Sequence, residues 1–268
     1  MNIEPRPSQS FGMSWLRALI TSVQFLTRFS WRGYVRGDAA ACASDLRRGV
    51  IFFPLVGAGI GCFTAVCLWA LAHVLPLPLA LLTALAFEAA LTGGFHEDAV
   101  ADFCDAFGGG WTREDVLRIL KDSRIGSFGA LGLGFAVALR AAGLLVLDSV
   151  WPMAVTLVVS GAAGRLTAVA VMALVPPVSG REGLSNDAGQ DANWKTFALS
   201  AALISPVLIL AWRHDAIALG AAVLALIAFI IWLRRTLMRR IGGATGDCLG
   251  FAAYIGIVIV SLAFARLH

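Results

Sequence analysis

The sequence predicts an all-α, polytopic transmembrane helix bundle of about seven spans, with an interfacial N-terminal helix and active-site loops gathered at one membrane face. Three observations carry this. First, 59% of the 268 residues are apolar, only 14% are charged and the mean hydropathy is +0.80, whereas a soluble domain carries about 25% charged residues. Second, seven stretches are long and apolar enough to cross a bilayer, which takes roughly 20 residues each. Third, basic residues collect on alternate connections between those stretches. No Pro/Ser-rich linker, low-complexity tract or short-period repeat divides the chain, so residues 1–268 read as one integral membrane domain.

The candidate spans run over 51–74, 76–93, 127–147, 151–175, 197–213, 215–233 and 248–265. Pro76 with Pro78, Trp151-Pro152 and Arg213-His214-Asp215 mark tight turns between successive spans. Ahead of them, Trp15 to Phe29 is apolar but interrupted by Arg17 and Arg28, with no small-residue cleavage site after it. That pattern suits an amphipathic interfacial helix better than a signal peptide.

Arg6, Arg17, Arg28, Arg32, Arg36, Arg47 and Arg48 all precede the first long apolar run. Short basic loops stay on the cytoplasmic side, so this end is read as cytoplasmic. Alternation then puts 94–126, 176–196 and 234–247 on the same side. Those loops hold Arg113, Arg118, Lys121, Arg124, Arg181, Lys195, Arg234, Arg235, Arg239 and Arg240, against Arg213 alone on the outer turns. The expected location is the bacterial inner membrane, multi-pass, with the site facing the cytoplasm. The basic excess is a topology signal, and no nucleic-acid partner is expected. Five cysteines form no CxxC pair, so neither zinc nor a disulfide framework is indicated; only Cys104, between acidic residues, stands out.

The chemistry concentrates after the second span, in Gly93-Gly94-Phe95-His96-Glu97-Asp98-Ala99-Val100-Ala101-Asp102-Phe103-Cys104-Asp105. On a helix Asp98, Asp102 and Asp105 stand at i, i+4 and i+7 and share one face. No Lys or Arg falls between 94 and 112 to offset them. An uncompensated carboxylate row argues for a bound hard cation such as Mg2+, Mn2+ or Ca2+; the same spacing also fits a solvated acidic face. His96, close in sequence, is a candidate base, phosphate-orienting group or ligand, or simply a hydrogen-bonded boundary histidine.

Next comes Lys121-Asp122-Ser123-Arg124-Ile125-Gly126-Ser127-Phe128-Gly129. Two cations, two hydroxyls and two glycines at a span's entry suit phosphate oxygens, and they suit an ordinary basic flank equally. Beside the acidic row the pair resolves into a division of labour for phosphoryl transfer: carboxylates hold metal, cations hold phosphate. Thr245 and Asp247 in Gly242-Gly243-Ala244-Thr245-Gly246-Asp247, and Arg181 and Glu182, lie on the same predicted face, although Asp247 is also placed to cap the last span. Within spans, Glu88, Arg140 and Arg165 are costly enough to be functional or paired; Glu88 either extends the cation site or pairs with one of the arginines.

These blocks resemble the cobalamin synthase family. Leu16 to Arg28 looks like its LxALxxLQFLTR-type opening, and RGVIFFPLVG from Arg48 to Gly57 resembles the start of its first span. Gly93 to Gly129 is similar to its GGxHxDGxxDxxDG and KDSxxGxxG patterns, Arg181-Glu182-Gly183-Leu184 to its RxEGL region, and Gly242 to Gly250 to GGxTGDxxG. The resemblance implies catalytic roles for His96, Asp98, Asp102, Asp105 and Lys121, with the three aspartates as Mg2+ ligands. It implies substrate binding by Asp122, Ser123, Arg124, Gly126, Arg165, Arg181, Glu182, Thr245 and Asp247. The implied reaction joins adenosylcobinamide-GDP to α-ribazole or its 5′-phosphate and releases GMP.

Ala99 and Ala106 stand where the family usually has Gly, and Glu97 where it has an apolar residue. Each is expected to alter substrate approach or the charge at the metal site. The rival enzyme reading, a CDP-alcohol phosphotransferase-like protein, needs a DGxxAR element that is missing near Asp98. A transporter would place its ionisable groups near the midplane and show internal repeats. Oligomeric state is not legible.

Overall fold

The structure, a computed structural model, describes residues 11–29, 39–179 and 191–265. Every regular element among them is helical: α1 (Phe11–Leu26), α2 (Ala39–Gly49), a 3-10 turn (Val50–Phe52), α3 (Phe53–Leu71), α4 (Leu77–Thr92), α5 (Phe95–Gly109), α6 (Arg113–Ile119), α7 (Ser127–Leu145), α8 (Val150–Leu174), α9 (Trp194–Leu203), α10 (Ser205–Arg240) and α11 (Gly246–Phe264). Five stretches are long and apolar enough to cross a membrane, and a sixth results if α4 and α5, bent by 87°, form one span. The 36-residue α10 breaks its helical dihedrals at Asp215, the residue that opens the sequence-derived span 215–233. With that break the architecture is consistent with about seven crossings, and the chain is a multi-pass membrane protein.

Small residues let the central helices approach closely, since between membrane helices packing replaces the hydrophobic drive. A Cβ on Gly57 would strike the Gly161 carbonyl, and one on Gly61 the Leu157 carbonyl. The α3–α8 crossing is therefore backbone on backbone. On the other side of α8, Gly164 faces Ala253 of α11 in the same way. Where α1 meets α2, Ser22 Oγ lies 2.8 Å from both the Ala18 and Gly49 carbonyl oxygens, so the N-terminal helix is docked rather than loosely laid down.

One ion pair sits deep in the bundle. Arg140 Nη2 donates to both Glu88 oxygens at 2.9 and 2.8 Å, and the Thr64 hydroxyl donates to Glu88 Oε2 at 2.7 Å. The guanidinium carbon of Arg140 is 5.8 Å from the centre of the Tyr254 ring. Of the two roles open to Glu88 in the sequence, the structure selects pairing with Arg140, and this pair joins α3, α4 and α7.

At one end of the bundle the loops are laced together. Arg240 donates to the Gly110 carbonyl and Arg113 Nε to the Ile241 carbonyl at 3.1 Å. Ala244 bridges to the Pro176–Val178 segment through two backbone bonds: its carbonyl accepts the Val178 N–H at 3.0 Å and its N–H donates to the Pro176 carbonyl at 2.8 Å. His214 instead stacks near Phe264, the last residue of α11, at the end away from these loops.

Candidate active site

The site is organised by the elbow between α4 and α5. Gly93 and Gly94 have φ of +73° and +68°, left-handed values that only glycine takes at little cost. Two such residues in succession turn the chain sharply and start α5 with its acidic residues in the first turns. Arg28, just past α1, lies across the elbow: a Cβ on Gly93 would run into its Nε. Its backbone N–H donates to the Leu91 carbonyl at 2.8 Å.

Successive residues of an α-helix are roughly 100° apart around its axis. Asp98, Asp102 and Asp105 accordingly fall within about 60° of one another, and His96 points to the opposite side. Burial agrees: Asp98 is exposed, Asp102 and Asp105 are half-buried, and His96 is 4% exposed. The structure therefore does not bring His96 to the carboxylates, correcting its reading as a nearby base or metal ligand. It lines a separate inner cavity with Arg165.

Asp105 is also reassigned. Its Oδ2 accepts the Gly126 N–H at 2.7 Å and its Oδ1 the Gly129 N–H at 2.8 Å, so this α5 carboxylate caps the N-terminus of α7. A Cβ at either glycine would collide with the carboxylate. The glycines cradle Asp105 itself, and the Gly126 amide expected to hold phosphate is already committed. In the same loop, three contacts of 2.6–3.1 Å bind the Arg124 guanidinium to Asp122. These hydrogen bonds pull the Asp122 carboxyl down to about 2. Lys121 and Ser123 are exposed; in this loop they remain the open donors for a ligand.

Across from α5, Thr245 is buried and its hydroxyl accepts the Cys248 N–H at 3.4 Å. It caps α11 and is not a surface for substrate, while Asp247 enters the acidic cluster: the charges of Asp98, Asp247 and Asp105 all oppose that of Asp102. Asp98 opens onto a cleft of about 510 Å3 lined also by Arg28, Gly93, Gly94, Phe95 and Ile125. Arg28 is a site residue that the sequence reading missed; its place in the opening LTR motif was the only signal. Arg181 and Glu182 lie outside the described residues.

Ala99 and Ala106 are both buried. Ala99 Cβ occupies the space that a side chain on Gly250 would need. Neither faces the cleft, so neither alters substrate approach as expected. Glu97 Oε2 is buried without a hydrogen-bond partner, and its charge acts on Arg140 and Arg165 rather than on the acidic row. Cys104 packs against Gly132 of α7, a packing role.

A model of the family described as cobalamin-5-phosphate synthase matches residues 18–265. The chain belongs to that family. It is 37% identical over 265 residues to the adenosylcobinamide-GDP ribazoletransferase of Leptothrix cholodnii, covering 90% of this chain and 94% of that relative. Proteins of the same name in Shewanella frigidimarina and Ralstonia nicotianae are 35% and 34% identical, covering 92% and 91% of this chain and 94% and 93% of their own lengths. No solved structure matches the chain. Family membership sets aside the CDP-alcohol phosphotransferase and transporter readings.

A metal can be tested against these donors. Among the described residues no group of three His, Cys, Asp or Glu is disposed to hold an ion, and Asp105 is engaged by two backbone amides. A three-aspartate cage does not fit. Mg2+, however, is commonly held by one or two carboxylates plus substrate phosphates and water, and Asp98 with Asp102 beside an open cleft fits that form.

Proposed function

We propose that this chain transfers the adenosylcobinamide-phosphate moiety of adenosylcobinamide-GDP to a hydroxyl of α-ribazole or of its 5′-phosphate, releasing GMP, at the cytoplasmic face of the bacterial inner membrane. The observation that carries this is the carboxylate face of α5, where Asp98 lines a cleft with Arg28 and Asp102 on the same helix face also feels the charge of Asp247 from α11. Relatives sharing about a third of their residues across nine-tenths of the chain bear the name of that transferase. The basic loops at this end, which include Arg113, Arg118 and Arg240, support the cytoplasmic orientation.

In this reading the cleft takes the diphosphate linkage. Arg28 and Lys121 hold its non-bridging oxygens, and guanidinium recognition of phosphate adds direction to charge. Asp98 and Asp102 would hold Mg2+, which would supply charge neutralisation for the transferred phosphoryl group. As the ribazole hydroxyl attacks phosphorus and GMP leaves, its proton passes to an aspartate of this face, because His96 is turned away. Asp105 holds the Gly126–Gly129 end of this loop against α5, beside Ile125 on the cleft wall, and exposed Lys121 reaches the substrate from the same loop. Membrane lipid surrounds the apolar exterior, where Trp69, Phe135, Ile217 and Leu224 are exposed.

The test is direct. Purified protein in liposomes receives adenosylcobinamide-GDP and α-ribazole, with Mg2+ or with EDTA, and GMP and the corrinoid product are followed by mass spectrometry. GMP and a ribazole-bearing corrinoid should appear in equal amounts and only with Mg2+. A protein that is monodisperse yet yields neither product refutes the assignment.

A further inference from the structure

We infer that the bundle contains an inner phosphate subsite, distinct from the carboxylate cleft, in which Arg165 and His96 receive the phosphate monoester of a reactant or product. The inference rests on the transferase reading for the identity of its ligands, but its geometry stands apart. Arg165 is 2% exposed, and its Nε and Nη1 have no hydrogen-bond partner among the described residues. His96 Nδ1 is likewise buried and unpartnered. Both residues line a cavity of about 30 Å3 together with Phe25, Phe95, Gly246 and Leu249.

A guanidinium enclosed in a protein without an acceptor is among the most costly arrangements in a folded chain. The obvious internal partner is spent elsewhere, since both oxygens of Glu88 are held by Arg140. Glu97, the other carboxylate acting on Arg165, leaves its Oε2 unbonded. Gly246 and Leu249 belong to the first turn of the 19-residue α11, whose N-terminal amides add partial positive charge on the same wall. Positive charge from two sources, with orphaned donors, calls for an anion.

Size narrows the ligand. A water-sized group needs about 10–15 Å3 of such space, so the cavity takes about two oxygens and no ring. A phosphate pushed in oxygen-first fits, with the rest of its molecule outside. Phe25 and Phe95 line both this cavity and the cleft that holds Asp98, and their rings meet edge to face at 5.5 Å. The subsite therefore lies one aromatic layer from the reaction cleft. Three participants in the proposed reaction carry a phosphate monoester: the product GMP, the 5′-phosphorylated acceptor, and the corrinoid product formed from that acceptor.

The test is equilibrium binding by the full chain in detergent of two pairs, GMP against guanosine and α-ribazole 5′-phosphate against α-ribazole. One phosphorylated member should bind at least about tenfold more tightly than its partner, as expected for a charged hydrogen bond, and the pair showing this identifies the source. Arg165→Gln should erase the difference and Arg165→Lys should retain part of it. Ala168→Leu, which fills the cavity while leaving Arg165 in place, should also erase it and guards against a folding defect in the arginine variants. Equal binding within both pairs, or a difference that survives Arg165→Gln and Ala168→Leu, overturns the subsite and leaves a water-filled cavity. Because binding is read without turnover, a chain that fails the transferase assay does not decide this result.

Discussion

Replacing Asp105 with Asn separates a positioning carboxylate from a metal-binding one. In the native chain each Asp105 oxygen accepts one backbone N–H, from Gly126 at 2.7 Å and Gly129 at 2.8 Å. Hydrogen bonds to a charged group contribute about 1.5–3 kcal/mol each. The Gly126 amide is exposed and regains water, whereas Gly129 is buried. Asn keeps one carbonyl oxygen but turns an NH2 toward the other amide, so one bond is lost and the survivor loses its charge. The net cost is expected at about 2–3 kcal/mol, mostly from the Gly129 side. Asp98→Asn, at an exposed carboxylate for which no internal bond is seen, should cost less than about 0.5 kcal/mol. Reversible unfolding in mixed micelles reads both, and the Mg2+ concentration for half-maximal turnover is measured alongside. Asp105→Asn should unfold earlier with an unchanged Mg2+ requirement, and Asp98→Asn the reverse. An Asp105→Asn protein of native stability that needs far more Mg2+ would refute the capping role.

Three other outcomes follow from the same contacts. Glu88→Ala should destabilise the chain by about 3–5 kcal/mol by stranding Arg140 in the bundle, and the double change with Arg140→Leu should recover much of that in a double-mutant cycle of unfolding energies. Gly57→Val should disrupt the α3–α8 crossing, where a single Cβ already meets the Gly161 carbonyl, and cost at least about 1–3 kcal/mol, read as lost monodisperse yield. Arg28→Gln should raise KM for the nucleotide-activated corrinoid about tenfold or more with a smaller change in kcat, and Arg28→Lys should restore part of it; unchanged KM would remove Arg28 from the cleft.

What the sequence disclosed depended on the range of the interaction. Hydropathy located the crossings because the bilayer imposes a length, and even the break at Asp215 was marked by Arg213-His214-Asp215. The carboxylate face was legible because helical spacing is local. That same periodicity turns His96 away from Asp98, although the two lie only two residues apart in the chain. The role of Asp105 was hidden since its partners lie 21 and 24 residues downstream, and the Glu88–Arg140 pair spans 52. The glycines of the 121–129 loop signalled close approach correctly; only the structure shows that the approaching group is a side chain of the protein. Ala99 follows Asp98 in the chain, yet one step along a helix turns a side chain by about 100° and buries it against Gly250.

In the proposed reaction the acidic face formed by Asp98 and Asp102 performs the transfer. Single-turnover GMP release from adenosylcobinamide-GDP, in liposomes with α-ribazole and Mg2+, measures it most directly. Asp102→Asn should abolish the release while the protein inserts and binds the corrinoid nucleotide like the native chain. Release at the native rate from Asp98→Asn and Asp102→Asn proteins would contradict the claim and leave the row as solvated surface.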